Sequence, residues 1–335
     1  MGLWSAEAFS GTMRLHVPRR RTGGLRPVRV IRPERRETRR PRPSGLAASR
    51  DPRPARRLAW GVVGVAAFSL TLPATRAAVA HLDPTFVGLG RAIVAASLAA
   101  VALVATGAPR PRGRQWRDLA IVALGVVVGF PLLSAWAMRQ VPASHGAVLT
   151  GLLPLATAGA AAWLAHERPS ARFWRWAGFG SLVVVAFALW RGGGAPHVAD
   201  LLLVGAVAAA AIGYAKGATL SRALGGWQVI SWALVLSAPL LALPTWFAAD
   251  ARTLDAPWTA WAGFAYVSVV SMYLGFFAWY RGLAQGGIAA VGQVQLLQPF
   301  LTLVASALLL GERLDPLTFV AAALVIAAIA MGRRS

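Results

Sequence analysis

QVPASHGAVLTGLLPLATAGAAAWLAHER, residues 140–168, and QGGIAAVGQVQLLQPFLTLVASALLLGER, residues 285–313, are two readings of one sequence. Gln140, Leu152, Pro154, Thr157, Ala160, Ala162, Leu164, Glu167 and Arg168 recur as Gln285, Leu297, Pro299, Thr302, Ala305, Ala307, Leu309, Glu312 and Arg313, always 145 residues later and without a gap. Each copy is an apolar run closed by an acid–arginine pair. A long apolar chain that carries such a repeat holds two copies of one membrane unit. The relative orientation of the copies then decides how the unit works.

The rest of the chain agrees with a membrane reading. It is 57% hydrophobic and only 14% charged, and it carries 14 Trp. Apolar runs follow one another from Leu58 to Met331, each long enough to cross a hydrocarbon layer of about 30 Å. Helices in a soluble core of this size would need polar faces, and these runs have almost none. Residues 58–332 therefore read as one integral membrane domain. The chain has no Cys, which excludes a disulfide framework, thiol catalysis and Cys-ligated metals. No two of its five His lie at i, i+4, so neither a metal site nor a cofactor is expected. No Walker-type glycine loop is present, which argues against direct ATP coupling.

Residues 1–57 differ from everything after them, with 16 Arg, four acids and seven Pro. Such a segment cannot bury enough surface to fold and is expected to be disordered. It reads as a polybasic arm for anionic lipid headgroups, and basic runs also suit nucleic acid, although no nucleic-acid partner is expected here. It reads equally as an extension from a start codon placed too far upstream, because out-of-frame GC-rich DNA yields the same composition. It lacks the apolar core of a secretory signal.

Hydropathy and helix breakers place ten spans at about 59–78, 85–106, 118–138, 143–165, 173–190, 199–219, 227–248, 259–280, 287–310 and 316–332. Ser170 and Asp315 stand at equivalent repeat positions, each just before a span, and Pro316 suits a first helical turn. With the amino end inside, the inner connections hold eleven Arg and the outer ones five, before the tail is counted. That bias places both termini in the cytoplasm. Five spans per unit is an odd number, so the two copies enter the membrane in opposite orientations. The expected fold is all-α and integral to the membrane, with ten transmembrane helices as two inverted five-helix repeats, 58–195 and 196–335. Inverted repeats build a site near the midplane that opens to either side.

Residues 59–332 resemble the drug/metabolite transporter superfamily, in its ten-span branch with two EamA-type repeats. The resemblance rests on Pro154…Glu167-Arg168 and Pro299…Glu312-Arg313, on Arg91 within Leu-Gly-Arg-Ala-Ile-Val-Ala-Ala, and on Asp200-Leu-Leu at the start of span six. It implies movement of a small polar metabolite, often an amino acid or related compound and frequently outward. It also implies a central cavity lined by spans one to four and six to nine, with spans five and ten peripheral.

The residues carry their own chemistry. A charge at a helix centre costs about 2.5 to 3.5 kcal/mol on insertion scales. Only Arg91 and Lys216 look intramembrane. They are candidates to meet a carboxylate or phosphate in a wet cavity, and both also suit snorkelling to an interface. No Asp or Glu sits in mid-span, which disfavours capture of cationic drugs and proton coupling through a buried carboxylate. A neutral, zwitterionic or anionic cargo fits better. Gln295 and Gln298 in span nine are three apart and share a face, and buried amides need partners. With Thr150, the repeat counterpart of Gln295, and the deep tyrosines Tyr214 and Tyr273, they complete the cavity candidates. Pro73, Pro154 and Pro299 each remove a backbone donor within a span and are candidate bending points. The pairs Glu167-Arg168 and Glu312-Arg313 are read as fixing helix ends. Trp136, Trp163, Trp279 and Tyr280, near span ends, are read as aromatic-belt anchors. Gly125 and Gly129 form a close-packing face.

The function that follows is secondary transport of a small polar organic metabolite across the inner (cytoplasmic) membrane of a bacterium, by alternating access and toward the outside. The partners are the metabolite and membrane lipid; the sequence does not reveal an oligomeric state. A membrane-embedded lipid-modifying enzyme would need clustered Asp, His or Glu, and His166-Glu167 is the only adjacent pair. A sensory or structural membrane protein would need an extramembrane domain, which the sequence does not offer.

Overall fold

The structure, a computed structural model, describes residues 53–165, 170–191, 197–250, 253–313 and 316–333. Most of the basic segment, together with Glu167, Arg168 and Asp315, lies outside the described residues. Among the described residues all regular structure is helical. The helical rods are α1 (Leu58–Val79), α2 (Pro84–Ala105), α3 (Arg114–Gln140) and α4 (Ala143–Leu164), α5 (Ala171–Arg191), α6 (Val198–Leu224), α7 (Gly226–Ala248), α8 (Trp258–Gly286) and α9 (Val294–Leu310), and α10 (Pro316–Arg333). Seven of them, α1–α4 and α6–α8, are long and apolar enough to cross a membrane. Their outer faces carry bare apolar side chains such as Val104, Leu240 and Trp246, which suits lipid as the surrounding medium.

Local chemistry sets the helix ends. The Asp83 carboxylate accepts from Thr85 N at 2.7 Å and Phe86 N at 3.2 Å, and Pro84 fills the first position of α2. His197 and Asp200 cap α6 reciprocally: His197 Nδ1 accepts from Ala199 N, and Asp200 Oδ2 accepts from His197 N. Gly311, at φ 64, closes α9 in the left-handed conformation.

The packing has a two-fold pattern. α2 packs on α7, α4 on α9, and α5 on α10, while α1 lies along α8 and α3 along α6. Exchanging each of α1–α5 with its counterpart in α6–α10 returns the same set. The α1–α8 pair is antiparallel: Gly64 meets Trp279, Thr71 bonds Ser271, and Gly263 meets Ala74. So is the α3–α6 pair, through Asp118–Lys216, Gly125–Gly213 and Leu133–Gly205. Gly125 and Gly129 are the close-packing face expected of them. A Cβ at Gly125 would come within 2.5 Å of the Ala209 carbonyl oxygen, and one at Gly129 within 2.8 Å of Ala209 Cβ.

Pro73, Pro154 and Pro299 do not sit in the middle of continuous helix. α1 breaks at Leu70 and restarts at Thr71, with Pro73 in the new first turn. α4 breaks after Thr150 and restarts at Leu153, followed by Pro154. A short helix, Ile288–Gly292, leads through a tight 3₁₀ segment, Gln293–Leu297, into the α-helix of α9 at Gln298, followed by Pro299. A first turn lacks intrahelical acceptors for its N–H groups, so proline removes nothing there that the helix uses. α3 and α8, third in their units, each widen into π-helix, at Ala123–Gly129 and Tyr266–Leu274.

Two aromatic anchors are corrected. Trp136 and Trp163 are exposed, at 42% and 72%, as belt residues should be, but Trp279 and Tyr280 are wholly buried. α8 continues to Gly286, which carries both residues inward. Tyr280 occupies the space left by the missing side chain of Gly217 and donates to the Gly213 carbonyl at 3.2 Å.

Candidate functional site

Arg91 lies two turns into α2 and is only 2% exposed. Its Nη2 donates to Ser271 Oγ at 3.1 Å, and Ser271 also shares a 2.8 Å hydrogen bond with Thr71. This short chain ties α2 to the π-helical part of α8 and to the restart of α1. The other two nitrogens of the guanidinium, Nε and Nη1, are buried and have no partner among the described residues. Arg91 is part of the wall of a small chamber, with Phe68, Val126, Phe130, Tyr214, Phe276 and Gln298. Its volume is about 20 Å³, enough for a single water. Tyr214 stacks on Phe68, with ring centroids 6.4 Å apart, and meets Trp279 edge-on at 5.4 Å.

The electrostatics of this chamber point one way. A guanidinium stays charged and presents a planar fork of donors matched to carboxylate or phosphate. Burying it with one hydrogen bond is costly, and among the described residues no Asp or Glu lines the chamber. Gln298 Oε1 and both amide atoms of Gln295 are likewise buried without partners among the described residues. The arrangement can receive an anionic or carboxylate-bearing group from one side and amide-bonding groups from the other.

The sequence candidates separate into those that meet and those that do not. Arg91, Tyr214 and Gln298 come together at the chamber. Gln295 is 1% exposed, one 3₁₀ turn before Gln298. Thr150 is turned back on its own helix, donating to the Gly146 and Ala147 carbonyls. Tyr273 shares a 3.2 Å bond with Ser231 and packs on Phe277. Lys216 lies away from the chamber and donates to Asp118 at 3.1 Å, both side chains remaining partly exposed. Pro154 and Pro299 lie at breaks that face each other across α4 and α9: a Cβ at Gly151, in the α4 break, would lie 3.5 Å from the Pro299 ring. Arg313 is exposed.

Three polar contacts are additional to the sequence reading. Ser271 positions Arg91. Glu312, beyond the end of α9, accepts from the backbone N–H of Ala143 at 2.8 Å and of Ser144 at 2.9 Å, so it caps α4 of the other unit. His145 in α4 is bonded through Nε2 to Asp200 Oδ1 at 2.6 Å, both side chains buried, with Phe187 beside the imidazole. A helix-end role for Glu312 was legible from its place after α9, but nothing in the sequence pairs residue 145 with residue 200.

The profile of the EamA-like transporter family matches residues 56–193 and again 197–332. The chain belongs to the EamA-like transporter family. It is 47% identical over 276 residues to the uncharacterized transporter YdeK of Bacillus subtilis, covering 82% of this chain and 96% of that one. It is 28% identical over 282 residues to a probable terminal-alkyne amino-acid exporter of Streptantibioticus cattleyicolor, covering 82% of this chain and 93% of that one. A solved crystal structure matches 83% of this chain and 98% of its own with a TM-score of 0.63 at 16% identity, a likeness of fold alone. As a member of this family the protein is a multi-pass membrane transporter for a small molecule, not an enzyme.

Proposed function

We propose that this EamA-type transporter moves a small polar organic compound bearing a carboxylate, an amino acid or a relative of one, outward across the cytoplasmic membrane by alternating access. The observation that carries the reading is Arg91: a buried guanidinium with two nitrogens unpartnered among the described residues, in the wall of a chamber whose described lining holds no acid. Arg91 and Gln298 hold the cargo, with Gln295 as a neighbouring amide and Tyr214 as a wall. Thr150, Lys216 and Tyr273 belong to the frame around this site. The name of the relative from Streptantibioticus cattleyicolor, an amino-acid exporter, supports both the cargo class and the direction.

The ten rods are ten spans in this reading, with a basic tail at 1–57, a first repeat at 58–195 and a second at 196–335, both termini cytoplasmic. Two features support the inversion. The packing maps onto itself under exchange of the units, and α8 runs antiparallel to α1. Within an alternating bundle α1 and α3 point the same way, so the third helices of the two units point opposite ways. A chamber of about 20 Å³ holds no metabolite, so cargo enters only as the helices part. The facing breaks at Pro154 and Pro299, with Pro73 in α1, are where the rods bend.

The test begins with a metabolite comparison of cells with and without the gene, followed by counterflow of the changed compound in proteoliposomes. Arg91→Ala is expected to lower flux about a hundredfold, as the loss of a charge-assisted contact does at the upper end of its range. Arg91→Lys should keep part of it. Unaltered flux in Arg91→Ala, with protein that reconstitutes normally, overturns the site.

A further inference from the structure

A second cavity of about 680 Å³ opens at the end of the bundle that the arginine bias assigns to the cytoplasm. It lies between the start of α1, the α6–α7 link and the end of α8. Two arginines face it, Arg222 from the last turn of α6 and Arg281 from α8. Neither is hydrogen-bonded or ion-paired to any described residue. The Arg281 guanidinium lies over the Trp60 ring, 4.5 Å from its centroid, which fixes its head at the cavity wall. Trp227 and Phe277 supply further apolar walls, and among the described residues no acid lines the space. The first turn of α7, Gly226–Gln228, is part of the same wall and has no side-chain cap.

Interface arginines and tryptophans commonly reach outward into headgroups as separate anchors. Here two cations and three aromatic surfaces converge on one concave space. Concavity, apolar walls and a few convergent polar groups are what a small-molecule site requires. The two positive charges set the sign of the ligand, and the aromatic walls set the character of its body. Phe277 lines this cavity while the adjacent Phe276 lines the Arg91 chamber, so consecutive residues of α8 border both spaces.

We propose that this cavity is a binding site for an amphiphilic anion, a carboxylate or phosphodiester on an apolar or aromatic body. The charge lies between Arg222 and Arg281, and the body lies against Trp60, Trp227 and Phe277. A carboxylate would be a solute that docks here from the cytoplasm; a phosphodiester would be the headgroup of an anionic lipid. The site stands on its own residues and does not depend on what Arg91 binds.

The absence of cysteine makes a direct test available. Ala284→Cys places a single thiol on the cavity wall, and its labelling by a hydrophilic maleimide is followed in nanodiscs of phosphatidylcholine. Phenylacetate at about ten times its half-protecting concentration should slow labelling about tenfold, because only the unoccupied fraction reacts. Adding Arg222→Gln and Arg281→Gln should abolish the protection while leaving the rate without phenylacetate unchanged, which shows the cavity still formed. Arg91→Gln should leave the protection intact, which separates this site from the central one. Protection in nanodiscs containing phosphatidylglycerol, lost in the same double variant, would support the site with lipid as its occupant. Unchanged labelling with both anions, or protection that survives the double arginine variant, overturns the proposal.

Discussion

α4 and α9 arise from one repeated sequence and have diverged in where they keep their polar chemistry. α4 carries it at its end. Glu312 caps its first turn, and His145 binds Asp200 just inside; toward its break Val148, Thr150 and Leu153 are buried, with only the Thr150 hydroxyl polar and satisfied by its own helix. Its counterpart carries it where the short helix Ile288–Gly292 gives way to α9, and there Gln295 and Gln298 stand at the positions of Thr150 and Leu153 with amide atoms unpartnered among the described residues. Among the residues the two share, Pro154 and Pro299 lie at breaks and Glu312 follows a helix end. The shared residues build the frame, and the unshared ones set the halves apart. Through them α4 is pinned to the other unit, and α9 presents groups to the chamber.

The largest effect should come from cutting the pin. Asp200→Ala leaves a buried imidazole without its carboxylate and uncaps α6, and it is expected to cost about 3 kcal/mol, as removing one partner of a buried pair does. Thermal unfolding in detergent, followed by tryptophan fluorescence, reads this directly. The double variant His145→Phe/Asp200→Leu should lose less than Asp200→Ala alone, because no buried polar partner is stranded. An Asp200→Ala protein as stable as the parent would erase the contrast between the two spans.

A second test makes α9 resemble α4. Gln298→Leu should raise the KM for the transported compound about tenfold, the order expected for one lost hydrogen bond to a charged group, with the melting temperature unchanged. The converse change, Leu153→Gln, should leave KM where it was, since α4 presents nothing to the chamber. Equal effects from both changes would mean that the halves are interchangeable.

The smallest effect concerns the cap. Glu312→Gln keeps the shape and loses the charge that holds the Ala143 and Ser144 amides, a change expected to cost about 1 kcal/mol. Arg313→Gln, exposed at the next position, should stay within about 0.5 kcal/mol. A urea titration that ranks Arg313→Gln above Glu312→Gln would reverse the assignment.

Much of the frame was legible in the sequence. Hydropathy placed the rods because lipid tolerates no unpaired backbone, and the repeat revealed two units. Arg91 stood out because charge within an apolar run is expensive. What stayed hidden depends on which faces meet. Lys216 looked like Arg91 by hydropathy, but its partner Asp118 comes from another helix, far away in the chain. Trp279 and Tyr280 looked like span-end anchors until the extension of α8 and the room at Gly217 moved them inward. The prolines were visible, but a helix restart and a mid-helix kink read alike in one dimension. The link from His145 to Asp200 joins the two repeats, and repeat-internal comparison is blind to it.

The widened turns at Ala123–Gly129 and Tyr266–Leu274 each hold spare chain. A π-turn takes up a residue more than an α-turn, and one residue of α-helix is a rotation of about 100°. Were the turn in α8 to tighten, the side chains on one side of it would swivel by that angle relative to those on the other. The serine hydroxyl that grips the buried guanidinium sits inside this slack, so a change of winding too small to displace either helix end would let go of the arginine.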